Sequence, residues 1–297
     1  MSEFVEICFE LGAVPVSLAE QACHEHGATA VTLCDARDEP VLEPGPGEVR
    51  LWPATRLQAL FAPGTAAAAT TEALGRALGI ATERFEVRMI ADRAWEREWL
   101  RDFHAMRFGR RLWICPHHER VEDPTAAVVH MDPGLAFGTG THPTTALCLE
   151  WLDAHPPVDR EVIDYGCGSG VLALAAVRLG ARLVHCLDID EQALSATRQN
   201  ADANGIGPQI RVHAPYEALV SQADVLLANI LSDPLIALAG RFAALVRPRG
   251  WIVLSGLMMH QESEVAGAYE ACFDMHTFGT RDGWIGLCGR RNDRASE

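Results

Sequence analysis

The sequence predicts an α/β protein: a doubly wound, mostly parallel sheet preceded by a smaller α+β domain. Three observations carry this. The 297 residues suggest two domains rather than one. The first ninety or so residues alternate short strand and helix patterns. From residue 125 onward, apolar runs rich in β-branched residues are separated by helical runs, the alternation of a parallel sheet covered on both faces.

The first segment reads in order as follows. Phe4 to Glu10 puts Val5, Ile7 and Phe9 on one face, the period of a strand. Ser17 with Glu20 forms a capping box for a helix that Gly27 closes. Ala30 to Cys34 is a second strand, and Glu43 to Gly47, with its Pro-Gly repeats, is a loop. Val49 to Phe61 holds one strand, frayed by Pro53. Thr65 to Leu78 is an Ala-rich helix ended by Gly79, and Phe85, Val87 and Met89 alternate as a last strand. The order βαββαβ is ferredoxin-like, and nothing in it resembles a catalytic constellation. Asp92 then caps a helix running to about Met106, with Trp95, Trp99, Phe103 and Met106 on one stripe. The expected division is residues 1–91 as a ferredoxin-like substrate-recognition domain, 92–107 as a connecting helix and 108–297 as the larger domain. Arg107, Arg110 and Arg111 follow as a small basic cluster, read as solvated surface.

In the larger segment the strand candidates are Val162–Ile163, Leu183–Leu187, Ile210–Val212, Val225–Ala228, Trp251–Leu254 and Trp284–Cys288. Ligands of such sheets bind at the carboxyl ends of the strands, near the switch in strand order.

Composition narrows the function. No apolar stretch reaches the roughly 20 residues of a membrane span, and Met1 to Glu6 does not open a secretory signal. The formal charge of −15 argues against an extensive nucleic-acid surface. All 25 basic residues are Arg and none is Lys. Schiff-base enzymes and Walker-A NTPases, which need a Lys of their own, are excluded. The nine Cys are odd in number and lack a C-x-x-C pair, which fits a reducing cytoplasm better than disulfides or zinc ribbons. His24-Glu25-His26 and His117-His118-Glu119 have no partner motif, so no metal site is expected.

Three loops carry the chemistry. Val162 to Gly170 ends a strand in Gly166-Cys167-Gly168-Ser169-Gly170, where backbone can approach a ligand closely. The spacing G-x-G-x-G lacks the last glycine of a dinucleotide fingerprint, which disfavours a nicotinamide oxidoreductase. Asp164, two residues before the first glycine, would repel a pyrophosphate and suit a ligand bearing positive charge. About 20 residues on, Asp188 ends the next strand, where a carboxylate can accept from both ribose hydroxyls of an adenosine; Asp190 caps the following helix. At Asn229 an apolar run stops abruptly on an amide. It is a turn former or a carbonyl acceptor for an amine N–H, which would position the nitrogen lone pair.

Together these loops resemble a class I S-adenosylmethionine-dependent methyltransferase, whose sheet is Rossmann-like. The stretch Met131 to Thr145, with Trp95 to Trp99, Arg111 to Pro116 and Asn229-Ile230-Leu231, is similar to the ribosomal protein L11 methyltransferase family (PrmA). The resemblance implies S-adenosyl-L-methionine as cofactor, contacted by Thr145, Gly166, Asp188 and Asn229. It implies ribosomal protein L11 as substrate, methylated on Lys side chains and on the N-terminal α-amine by a monomer away from membranes. The N-terminal domain is expected to grip that protein and the connecting helix to reorient it. Asn229 is the candidate for positioning the amine. His142 is a tempting base, though a structural bond from its ring fits the loop equally well. Asn-Ile-Leu-Ser stands where many amine methyltransferases have Asn-Pro-Pro-Tyr. The alternative is a related methyltransferase acting on another protein or a small amine.

Overall fold

The computed structural model describes residues 3–37, 51–91, 104–132, 142–214 and 222–292. The chain forms two compact units, Met1–Glu98 and Trp99–Glu297.

The first unit contains β1 (Glu3–Glu10), α1 (Val16–Glu25), β2 (Ala28–Asp35), β3 (Thr55–Phe61), α2 (Ala67–Leu78) and β4 (Glu86–Ala91). Its sheet runs β2-β3-β1-β4, with every neighbouring pair antiparallel. Alternation decides the faces: Val5, Ile7 and Phe9 of β1 and Leu57, Ala59 and Phe61 of β3 are buried against Ala19, Ala22 and Cys23 of α1 and Leu74 and Leu78 of α2. The capping box expected at Ser17 is absent. The N-cap is extended Pro15, two residues before Ser17, and no side chain caps the helix; Ser17 falls inside the first turn, past the position from which a hydroxyl caps. Val87 and Met89 lie opposite Ile7 and Val5 but remain 44% and 56% exposed, since β4 is an edge strand.

Most of the connecting helix expected over 92–107, through residue 103, lies outside the described residues, as does the Glu43 to Gly47 loop. Met106 and Arg107, expected as its end, instead open a strand. β5 (Met106–Phe108) pairs antiparallel with β6 (Leu112–Cys115), which pairs parallel with β7 (Ala127–His130). The turn between β5 and β6 requires Gly109: its φ is +70°, and a Cβ there would lie 2.8 Å from Asp153 Cγ. Asp153 accepts hydrogen bonds from the backbone N–H groups of Arg110, Arg111 and Leu112. The Arg107 guanidinium lies over the Trp113 ring at 5.9 Å.

The rest of the second unit is built on a seven-stranded sheet. In chain order its elements are α3 (Pro143–Ala154), β8 (Glu161–Tyr165), α4 (Val171–Arg178), β9 (Leu183–Leu187), α5 (Glu191–Ala203), β10 (Ile210–Val212), β11 (Ala223–Asn229), α6 (Ser232–Ala237), α7 (Ala239–Leu245), β12 (Val246–Met258), α8 (Glu262–Tyr269), β13 (Phe273–Arg281) and β14 (Trp284–Arg291). The spatial order is β10-β9-β8-β11-β12-β14-β13. β10 through β12 are parallel, and β14 is antiparallel to both neighbours. The order therefore reverses between β8 and β11. One face packs Leu149, Leu172, Leu174 and Val184; the other packs Leu226, Leu235, Phe242 and Tyr269. Among the described residues no helix is long and apolar enough to cross a membrane.

The amino ends of the strands are held by charge. Arg247 bonds both Asp224 and Glu161, Arg182 bonds Glu161 at 2.7 Å, and Arg160 lies 3.4 Å from Asp224. Burial works against the ionised form of both acids. The surrounding hydrogen bonds, those of Arg247 among them, nevertheless hold Glu161 and Asp224 below the usual carboxylate range.

Candidate functional site

At the opposite rim, over the switch point between β8 and β11, lies a cleft of about 810 Å³. Tyr165, Gly166 and Gly168 line it from β8 and its loop, Asp188 from the end of β9, Asn229 from the end of β11 and Trp284 from β14.

The loop after β8 explains the spacing of its glycines. Gly166, Gly168 and Gly170 have φ of +77°, +55° and +82°, left-handed values that side chains rarely tolerate. The loop is fastened from two sides. The amides of Gly166 and Cys167 donate to Leu187 O at 2.8 and 3.0 Å. From α5, Thr197 Oγ1 donates to Gly168 O at 3.0 Å and Asn200 Nδ2 to Ser169 O at 2.8 Å.

Asp164 sits beneath this loop, 1% exposed. Its Oδ2 accepts from the Ala173 N–H at 3.0 Å. It therefore caps α4, which begins after a glycine with no side chain to offer. Its Oδ1 is buried with no partner. Burial, aided by the nearby Asp188 carboxylate and opposed by the Ala173 N–H, pushes the Asp164 carboxyl up to about 7. Asp164 is not among the residues that line the cleft.

Asp188 is anchored by backbone. Its Oδ2 accepts from Gly168 N–H at 2.9 Å and its Oδ1 from Asp190 N–H at 3.0 Å. Each oxygen retains a second acceptor position. Asp190 caps α5, accepting from Gln192 N–H at 2.8 Å. Asn229 pairs with Ser255 of β12. Its Nδ2 donates to Thr145 Oγ1 at 3.2 Å, and its Oδ1 is buried without a partner. Of the four residues singled out by resemblance, Gly166, Asp188 and Asn229 form the wall of the cleft. Thr145 lies one layer behind, 1% exposed, and holds the Asn229 amide.

His142 and Thr144 also line the cleft. The His142 ring caps α3: Nδ1 lies 2.7 Å from Thr144 Oγ1 and accepts from Thr144 N–H. Its edge meets Trp284 at 4.9 Å. Burial lowers its pKa, which favours the neutral ring. Met131 and Asp132 of the long signature stretch are described; residues 133–141 are not.

Sequence reading missed Tyr165, Ile230, Arg241, Gly256 and Trp284 in the lining. Arg241 lies over the Tyr165 ring at 5.5 Å. A glycine inside an apolar strand run was the one available signal, at Gly256. Among the described residues no group of three or more His, Cys, Asp or Glu is placed to hold a metal ion.

The arrangement offers a paired acceptor at Asp188, an apolar wall and a buried carbonyl oxygen with no protein donor. It suits a ligand with adjacent hydroxyls next to a group carrying N–H.

The family model that matches this chain is "Ribosomal protein L11 methyltransferase (PrmA)", over residues 3–292. The chain is 50% identical over 273 residues to the ribosomal protein L11 methyltransferase of Pseudomonas aeruginosa (strain LESB58), covering 92% of this chain and 93% of that one. It is 49% identical over 272 residues to that of Hahella chejuensis, with the same coverages. Among solved structures, the ribosomal protein L11 methylase of Lactobacillus delbrueckii subsp. bulgaricus aligns with a TM-score of 0.59 at 30% identity, covering 64% of this chain and all of that one.

Proposed function

The chain belongs to the ribosomal protein L11 methyltransferase family, and from that premise we propose that it transfers methyl groups from S-adenosyl-L-methionine to amines of ribosomal protein L11, both Lys side chains and the N-terminal α-amine. The observation that carries the reading is the Asn229 carbonyl oxygen. It is buried in the cleft wall without a partner, while Thr145 fixes the other end of the amide. A buried unpaired acceptor is costly and is explained by a donor that arrives with a ligand.

The residues present fit the methyl donor. The remaining acceptor positions of Asp188 suit two vicinal hydroxyls of a ribose, and the backbone at Gly166 and Gly168 borders the same cleft. When bound, the donor supplies a sulfonium methyl open to in-line displacement with a neutral leaving group. The protein must present a neutral amine in line. Asn229 Oδ1 accepts one amine N–H and so aims the lone pair away from itself, with Thr145 as the group that orients it. At neutral pH deprotonation costs roughly 4–5 kcal/mol for a Lys amine and about 1 for an α-amine. Desolvation in the cleft reduces that cost, and positioning contributes the remaining rate. No general base is assigned; His142 has a helix-capping role instead.

We read the first unit as the ferredoxin-like domain that grips the substrate protein. Its βαββαβ order and antiparallel β2-β3-β1-β4 sheet support this. The segment from residue 92 up to β5 is taken as the connector that lets different amines reach one site, the enzyme as a monomer, and the compartment as a reducing cytoplasm, which suits nine unbridged thiols. The test is intact mass of recombinant ribosomal protein L11 after incubation with enzyme and S-adenosyl-L-methionine. Stepwise methyl increments that map to Lys side chains and the N-terminus are expected. An unmodified L11 beside a different methylated protein in a ribosomal extract would move the activity to another substrate.

A further inference from the structure

Ile230, the residue after Asn229, is held between two glycines that come from distant parts of the chain. On one side is Gly166: a Cβ built there would overlap Ile230 Cγ2 and lie 3.8 Å from its Cβ. On the other is Gly256. A Cβ there would overlap the Ile230 carbonyl oxygen and lie 2.8 Å from its carbonyl carbon and 3.0 Å from its nitrogen. Gly256 has φ of +90° and falls where the β12–β14 register shifts between Leu254 and Leu257. The bulge in β12 thus lets the Ile230 peptide pass, and the turn after β8 leaves room for its side chain.

What Gly166 makes room for is therefore, first of all, this isoleucine. The glycine loop cannot retreat, because the Gly166 and Cys167 amides are bound to Leu187 O. A push from Gly166 is taken up by Ile230 and, one peptide away, by Asn229. Asn229 itself is held by pairing with Ser255 and by one side-chain bond to Thr145. We infer that Ile230 is a positioning residue that couples the glycine loop to the Asn229 carbonyl, so that the donor side and the amine side of the cleft are set together. The inference rests on the reading of Asn229 given above.

A double-mutant cycle tests it, with S-adenosylhomocysteine affinity from calorimetry and kcat and KM from methylation of ribosomal protein L11. G166A should lose at least about tenfold in affinity, and in the I230A background the same change should cost far less. The backbone strain of alanine at a positive φ is common to both arms and cancels. I230A alone should lower kcat by about tenfold while affinity stays within about threefold. I230V keeps the Cγ2 methyl and should retain most of the kcat that I230A loses. Equal costs of G166A in both backgrounds, or an I230V no better than I230A, overturn the coupling. If G166A does not fold, the I230A and I230V comparison decides alone. A wild-type protein that fails to bind S-adenosylhomocysteine overturns the donor-site reading instead, which keeps the two failures apart.

Discussion

Asp164 gives the sharpest test of how the glycine loop is supported. Its carboxyl is moved from 3.8 to about 7. The folded value lies above the unfolded one, so folding favours the protonated acid. The stability this group contributes is complete below about pH 3.8 and is lost as pH rises through about 7. The full swing is about 4 kcal/mol. In D164N the side chain is neutral at every pH, and its amide oxygen can still accept from the Ala173 N–H. Other titrating groups are shared by the two proteins and cancel in the difference. Between pH 5 and 8.5, unfolding free energies from urea titrations should therefore move in favour of D164N by about 3 kcal/mol. A constant offset between the proteins across that range, of either sign, would refute the assignment of a buried, protonated acid under the loop.

Further outcomes follow from the same geometry. N229A should lower kcat by about 10- to 100-fold with little change in S-adenosylhomocysteine affinity; equal losses would reduce Asn229 to a donor ligand. D188A removes an acceptor that two backbone amides already use, and should weaken donor binding by about 100-fold; an unchanged calorimetric titration would remove the ribose assignment. D153A leaves the amides of Arg110, Arg111 and Leu112 without their acceptor, and should cost about 2–4 kcal/mol, read as a lowered urea midpoint. Y269F deletes the buried bond from Tyr269 to Leu235 O, 2.6 Å long, and should lower stability by about 1 kcal/mol without altering turnover.

Local pattern made much of the large sheet legible. Val162–Ile163, Leu183–Leu187 and Val225–Ala228 each lie within an observed strand, because a strand buried on both faces leaves a continuous apolar run. β13 escaped notice: it is an edge strand whose sequence mixes Phe273 and Met275 with charge and Gly279. The small β5-β6-β7 sheet escaped for a different reason. Met106 continues a helical stripe in sequence, and only the Gly109 turn and the distant Asp153 convert it to a strand. At the site, Asp188 and Asn229 stood out as polar residues that end apolar runs. Asp164 did not reveal its burial, which depends on which strand face α4 covers. Thr145 and Asn229 meet across 84 positions, and Ile230 meets Gly166 and Gly256 across still other separations. No local period encodes such meetings.

The charged fastening at the amino ends of the strands is made of Arg160, Arg182 and Arg247 against Glu161 and Asp224. Guanidinium stays protonated under physiological conditions and is a poor nucleophile, so these clamps are inert toward an alkylating sulfonium. A Lys amine in the same places gives up its proton more readily than guanidinium, and only the deprotonated amine could be alkylated. With no Lys in the sequence, the catalyst presents no side-chain amine of its own to compete with its client for the methyl group.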